Sequence, residues 1–375
     1  MKKKMTLALV FAIVGLLGSI AVAAGLGVFG TFTNHEMSEM SAIRLSMLDS
    51  VSSEVGTTVT LTAPGETTDN TEPANDAEAM IAGQAGREFS LTVDQAYCDG
   101  TKLYYSYTIK TEALQKVFGE GKPVGIDDWE IVHKEKRFAE VWNRLDDEET
   151  AEITAWLDSH DSSYVIIENV GLGDGVALDG KPLNIYDSDS EWTDENTLTG
   201  YQEVRLPGDY EPGDKLTVQM SILYGVTVFY QDATGVYYNS FAQSENRGIL
   251  RAEVTLPVNG HTTAVTGTMT TDSYTAEAEL FISDVDIYGT VTFTGVQSGS
   301  ADQEQSDMPD GLVMSYRLIA GDEELRNLDG GFSDVVDGTY TVDVRYDLPS
   351  NTGNLILHPT GAEDSMSDIV LRQSI

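Results

Sequence analysis

The stretch Arg87-Glu-Phe-Ser-Leu-Thr-Val-Asp-Gln-Ala-Tyr-Cys98-Asp99-Gly100-Thr-Lys-Leu-Tyr-Tyr-Ser-Tyr-Thr-Ile-Lys110 decides the fold class of this chain. Phe89, Leu91 and Val93 alternate with Ser90, Thr92 and Asp94. Leu103, Tyr105, Tyr107 and Ile109 then alternate with Tyr104, Ser106 and Thr108. A period of two sends one set of side chains toward a core and the other toward solvent. Asp99-Gly100 between the runs suits a turn with positive φ, so the stretch predicts a β-hairpin.

Toward higher numbers the same alternation recurs in Tyr164–Glu168, Thr197–Leu206, Lys215–Tyr224, Val226–Gln231, Val236–Phe241 and Ile249–Leu256. Pro257-Val-Asn-Gly260 reads as a short hinge, and strand patterns resume from Ala264 to Leu357. Short strands at this density, with turn residues between them, argue for sandwich domains. The expected fold class is mainly β: two immunoglobulin-like β-sandwich domains, at 87–258 and 259–375. The first carries an α-helical insertion over 126–160. There Trp129, Val132, Phe138, Val141, Trp142 and Leu145 recur at helical intervals. Ile153, Trp156 and Leu157 suggest a second helix, with Asp147, Glu148 and Glu149 favourable in its first turn.

Toward lower numbers the character changes. Met37, Met40, Met47, Leu48, Val51 and Val55 predict an amphipathic helix within 33–56. Residues 57–86, rich in Thr, Pro, Ala, Glu and Asp, read as a flexible acidic tether. Met5–Phe32 holds no charge and directly follows Lys2-Lys3-Lys4. About 20 apolar residues span a bilayer core, and basic residues in front hold the N-terminus inside. Small residues at Ala21-Val-Ala-Ala24 equally offer a cleavage site. Residues 1–32 are therefore a signal peptide or a membrane anchor. The rest is expected to be extracytoplasmic, secreted or anchored by that segment, which contacts the membrane if uncleaved.

Phe89–Tyr107 resembles the opening strands of the domain-of-unknown-function family 4179, bacterial envelope proteins mostly from Firmicutes. The likeness is most specific over 87–110. The layout is looser over 1–260: a basic start, an apolar segment ending Ala23-Ala-Gly-Leu-Gly-Val-Phe-Gly30, a helix, a tether, then the domain. Residues 261–375 resemble no family. The resemblance implies no catalytic residues. It implies for some relatives an anti-sigma-type ectodomain with a cytoplasmic segment ahead of the membrane. Met1–Lys4 is too short for such a segment, so the role is not expected of this chain alone.

The net charge of −39 disfavours nucleic acid, because phosphate backbones repel it. A single cysteine, Cys98, cannot form an internal disulfide. The five histidines are scattered, and no His-x-x-x-His, Cys-x-x-Cys, Gly-x-Ser-x-Gly or Walker pattern occurs. Carboxylate pairs for glycoside hydrolysis can be nominated anywhere among 61 acidic residues, so they point nowhere. The chain is expected not to be an enzyme.

Two patterns carry speculative sites. Asp187, Asp189, Glu191 and Asp194 alternate oxygen donors, as a calcium site in a loop prefers, although Trp192 and Leu198 depart from the EF-hand. Calcium is the one cofactor worth considering. Tyr230 and Tyr238, each next to another aromatic residue near the Asp232–Gly235 turn, are candidates for an outward platform taking a sugar ring or peptide. The expected function is an interaction or sensing module, with an envelope protein or glycan as partner. The alternatives are a structural surface spacer and a regulatory ectodomain working with a separate membrane partner.

Overall fold

The computed structural model describes residues 42–64, 76–123, 130–134, 138, 147–173, 176–207, 210, 213–240, 248–272, 274–295, 315–325, 327–329, 338–349, 354–360 and 368–373. Met5–Phe32 lies outside them. Among the described residues, no helix is long and apolar enough to cross a membrane. The protein is mainly β, its strands joined in antiparallel sheets. It divides into two compact units, one containing Ser52–Val258 and the other Ser38–Val51 with Asn259–Ile375.

The first unit opens with β1 (Ser53–Thr62), β2 (Glu88–Cys98), β3 (Lys102–Lys110), β4 (Lys116–Glu120), β5 (Glu130–Lys134) and β6 (Ser162–Leu172). It continues through β7 (Ala177–Leu178), β8 (Lys181–Pro182), β9 (Asn184–Asp194), β10 (Thr197–Arg205), β11 (Lys215–Asp232), β12 (Gly235–Ser240) and β13 (Ile249–Pro257). One sheet runs β1-β2-β3-β10-β9; the other runs β4-β6-β11-β12-β5, with β13 and β7 beside β11 and β8 beside β7. The β2–β3 hairpin turns at Asp99, whose carboxylate accepts the N–H groups of Thr101 (2.9 Å) and Lys102 (2.7 Å). Phe89, Leu91 and Leu103 from the first sheet meet Leu216, Val218 and Met220 from β11, so a sandwich-like core lies between the sheets.

Three expectations are corrected. The tether does not describe residues 57–62, because β1 pairs along β2, Val59 opposite Leu91 and Leu61 opposite Phe89. Asp76–Gly83 is likewise a helix rather than tether; residues 65–75 lie outside the described residues. Of the helix expected within 33–56, Ala42–Val51 forms α1, residues 33–41 lie outside the described residues, and Val55 belongs to β1. The insertion is not wholly helical. Glu130–Lys134 is a strand paired with β12, and Asp147–Asp158 is a helix. A backbone next to an open sheet edge gains ladder hydrogen bonds, and that outweighs a helical spacing carried by a few residues.

Helices α2 (Asp76–Gly83) and α3 (Asp147–Asp158) cover opposite faces of the second sheet. Ala77 and Met80 of α2 pack on Ile166, Val226 and Val228. Ile153 and Leu157 of α3 pack on Val165, Ile167 and Phe229.

The second unit has β14 (Thr263–Thr270), β15 (Thr275–Ile282), β16 (Asp286–Thr294), β17 (Ser315–Ala320) and β18 (Glu323–Leu325). Then come β19 (Asn327–Asp329), β20 (Thr339–Asp347), β21 (Leu355–Thr360), β22 (Ile369–Val370) and β23 (Arg372–Gln373). Its sheets run β19-β20-β16-β15-β14-β23 and β18-β17-β21-β22. Phe293, Val342 and Leu280 meet Tyr316, Leu318 and Leu357 in the core between them.

Candidate functional site

Register brings three tyrosines into one row. Tyr230 of β11 stands directly opposite Tyr164 of β6 on one side and Tyr237 of β12 on the other. In β4 the row continues to Gly119, opposite Tyr164. A Cβ on Gly119 would lie 2.0 Å from the Tyr164 ring, so glycine is what leaves room for that ring over the edge strand. The Tyr230 and Tyr237 rings sit 5.7 Å apart at 37°. Ile166 and Val228, two residues along on the same face, and Met80 of α2 pack against the row.

The Tyr230 and Tyr237 hydroxyls are linked through Asp232 and Thr234, and the Tyr164 hydroxyl bonds Asp76. Tyr164 donates to Asp76 Oδ2 at 2.6 Å. Tyr230 donates to Asp232 Oδ2 at 3.2 Å and shares a 3.0 Å hydrogen bond with Ser162 Oγ. Thr234 donates to Asp232 Oδ1, and the Tyr237 hydroxyl bonds Thr234 Oγ1. Burial opposes ionisation of Asp232, but hydrogen bonds from Thr234, Tyr230 and Gly235 together hold its carboxyl below the usual range. Burial, and then the neighbouring Asp76 carboxylate, push the Tyr164 phenol up to about 12. The site thus combines aromatic rings with two carboxylates at a rim whose donors are already used. A ligand here must bring its own donors.

The row corrects the platform expectation. Tyr230 is buried, at 8% exposure, because α2 covers this face of the sheet. Phe229 is buried too, under α3 on the opposite face, so neither member of that pair points to solvent. Tyr238 is in register with Phe229 rather than with Tyr230. The half-buried ring of the row is Tyr237. Tyr164, Tyr237, Asp76 and Asp232 were missed because pairing across three strands has no local signal. The nearest signal was a tyrosine at the turn-proximal end of each strand.

The calcium expectation is corrected as well. Asp187, Asp189, Glu191 and Asp194 lie along β9, a strand rather than a loop. A strand rises about 3.4 Å per residue, so same-face carboxylates stand about 7 Å apart. Calcium needs its oxygens within about 2.6 Å, so these four cannot converge on one ion. Asp187 accepts the Tyr201 hydroxyl at 3.1 Å, and Asp189 accepts the Ser190 N–H at 2.8 Å. The Asn196 N–H, at 3.0 Å, is the main cause holding Asp194 below its ordinary value. Among the described residues, no three His, Cys, Asp or Glu side chains are grouped to hold a metal. Since β9 is a sheet edge, its acidic side chains are explained as a guard against edge-to-edge pairing.

Cys98 is buried in the first core, and that burial pushes its thiol up to about 12, far from the thiolate a reactive cysteine needs.

No family model matches this chain, and no curated protein does. Among solved structures, the conserved domain protein from Bacillus anthracis is 12% identical, covering 92% of this chain and 96% of that one. Its TM-score of 0.40 is too low for the likeness to bear on fold or function.

Proposed function

We propose that this chain is a non-enzymatic extracytoplasmic protein of a bacterial envelope, built from two immunoglobulin-like units, that binds envelope glycan at the half-buried Tyr237 end of the tyrosine row of its first unit. One observation carries the reading: Tyr164, Tyr230 and Tyr237 stand side by side across three strands, flanked by the carboxylates of Asp76 and Asp232. Tyrosine rings suit the apolar faces of sugars, and carboxylates suit their hydroxyl donors. Export or anchoring rests on Lys2–Lys4 ahead of the charge-free Met5–Phe32.

The test is a titration of the isotope-labelled chain with soluble wall-glycan fragments, followed by NMR. Signals of Thr234, Gly235 and Tyr237 are expected to move, and Tyr237→Ala to weaken binding by about tenfold. Fragments that leave those signals still, at millimolar concentration, defeat the glycan reading.

A spacer role has its own support, since every hydroxyl of the row already has a partner within the chain. Binding by no glycan and no envelope protein, with both units folded, favours it.

A further inference from the structure

Residues 368–373 connect the two sheets of the second unit. β22 joins the four-stranded sheet through Ile356 opposite Val370 and Leu357 opposite Ile369. β23 joins the six-stranded sheet through Thr266 opposite Arg372 and Val265 opposite Gln373. Between them, the Leu371 N–H donates to Leu355 O at 3.0 Å. Ile369 and Leu371 are buried in the core, while Asp368, Val370 and Arg372 are exposed. Gly267 makes the passage: a Cβ there would stand 2.7 Å from Ile369 Cγ2 and from Val370 O. At its start the segment is tied by His358 Nδ1 to Asp368 Oδ1 at 2.7 Å, a pair open to solvent.

We propose that this seam is a strand-acceptor site, filled within the chain by Asp368–Gln373 and able to take the same segment from a second copy.

The grip is short. Among the described residues, β22 and β23 make two register pairs each, whereas β14 and β15 make eight. The contacts are also of the kind that strand addition uses, with main-chain bonds for affinity and alternate apolar side chains in pockets for specificity. Ile369 and Leu371 are those two side chains, spaced i, i+2. A second copy is the occupant that matches both pockets and both registers, because it brings the same residues and exchange remakes the same bonds. The connection Gly361–Ser367 is seven residues long and lacks proline, enough to reach about 23 Å extended. The proposal is independent of the glycan reading, which concerns the other unit.

The test uses the full chain and a fluorescent peptide of residues 367–375. Leu371→Asp weakens the internal strand, and this variant should capture the peptide at least about tenfold more tightly than the parent. The same peptide carrying Asp at Leu371 should not bind. A second variant pairs Thr266→Cys with Arg372→Cys, register partners that are both exposed. Oxidised, it locks the segment in place; reduced, it leaves it free. Light scattering should then find concentration-dependent dimer in the reduced form and monomer in the oxidised one, whether or not Leu371→Asp folds. Equal dimer in both forms would mean another surface joins the copies and would overturn the proposal. Monomer in both, with no peptide captured by a folded Leu371→Asp chain, would overturn it too.

Discussion

The two halves of β11 sit in different environments. From Lys215 to Tyr224 one face, Leu216, Val218, Met220 and Ile222, is buried against the first sheet, while Lys215 and Thr217 are exposed. From Gly225 to Tyr230 every residue is buried. There Val226, Val228 and Tyr230 lie on the α2 side, and Phe229 lies on the α3 side. The changeover carries a polar seam. Arg87 donates to Glu168 Oε2 at 2.7 Å, and Glu168, opposite Val226, also accepts the Gln115 N–H at 2.8 Å. Gln84 Nε2 donates to Gly225 O at 3.3 Å beside it. A single strand therefore serves as half of a sandwich and then as the middle layer between two helices, and the candidate site lies at the second end.

The contrast breaks most easily at the seam. Arg87→Met leaves the Glu168 carboxylate buried without its counter-ion and should cost about 3–5 kcal/mol in denaturant unfolding. A cost below about 1 kcal/mol would mean that the two ends of β11 do not depend on the ion pair. Phe229→Ala opens a hole under α3, where Phe138 meets Phe229 edge-on at 5.0 Å, and should cost about 3–5 kcal/mol. Tyr164→Phe removes a donor to the Asp76 carboxylate and should cost about 1.5–3 kcal/mol.

Alkaline pH separates the halves by chemistry. Cys98, in the sandwich core, is raised by burial from 9.0 to about 12. Tyr164, in the layered end, is raised from 10.0 to about 12, first by burial and then by Asp76. In each case the fold keeps a proton that the unfolded chain has lost, so stability falls as pH rises through this window. Cys98→Ala should remove the part of the fall that begins near pH 9, and Tyr164→Phe a part that begins near pH 10. The smallest effect is expected at Thr217→Ala, exposed on the open face of the sandwich half, within about 0.5 kcal/mol. A change as large as that of Phe229→Ala would show that this face is covered.

Much of this architecture was legible, and the failures have physical causes. The hairpin around Asp99 could be read because alternation and turn chemistry agree there. β11 was read as two strands, Lys215–Tyr224 and Val226–Gln231, because alternation stops where both faces become buried and a continuous apolar run has no period. β1 was hidden by its composition: Gly56, Thr57, Thr58 and Thr60 between Val55, Val59 and Leu61 resemble a tether until Leu91 and Phe89 lie opposite. At the candidate site, Tyr230 was visible, but its neighbours Tyr164 and Tyr237 are 66 and 7 positions away in sequence. Tyr238 was chosen over Tyr237 because alternation sends one of an adjacent pair to each face without saying which face is which.

The amino-acid sequence by itself determined that this is a mainly β chain, because period-two patterning and turn residues are local properties that any strand must carry. It also determined the strongly acidic balance and the charge-free segment near the start. Tertiary structure alone decided which tyrosines share a row, which face each helix covers, and that four acidic residues lie along an edge strand instead of around an ion. Those outcomes depend on register and on pairings between distant segments, and shifting a strand by one residue would exchange its faces without changing the local pattern.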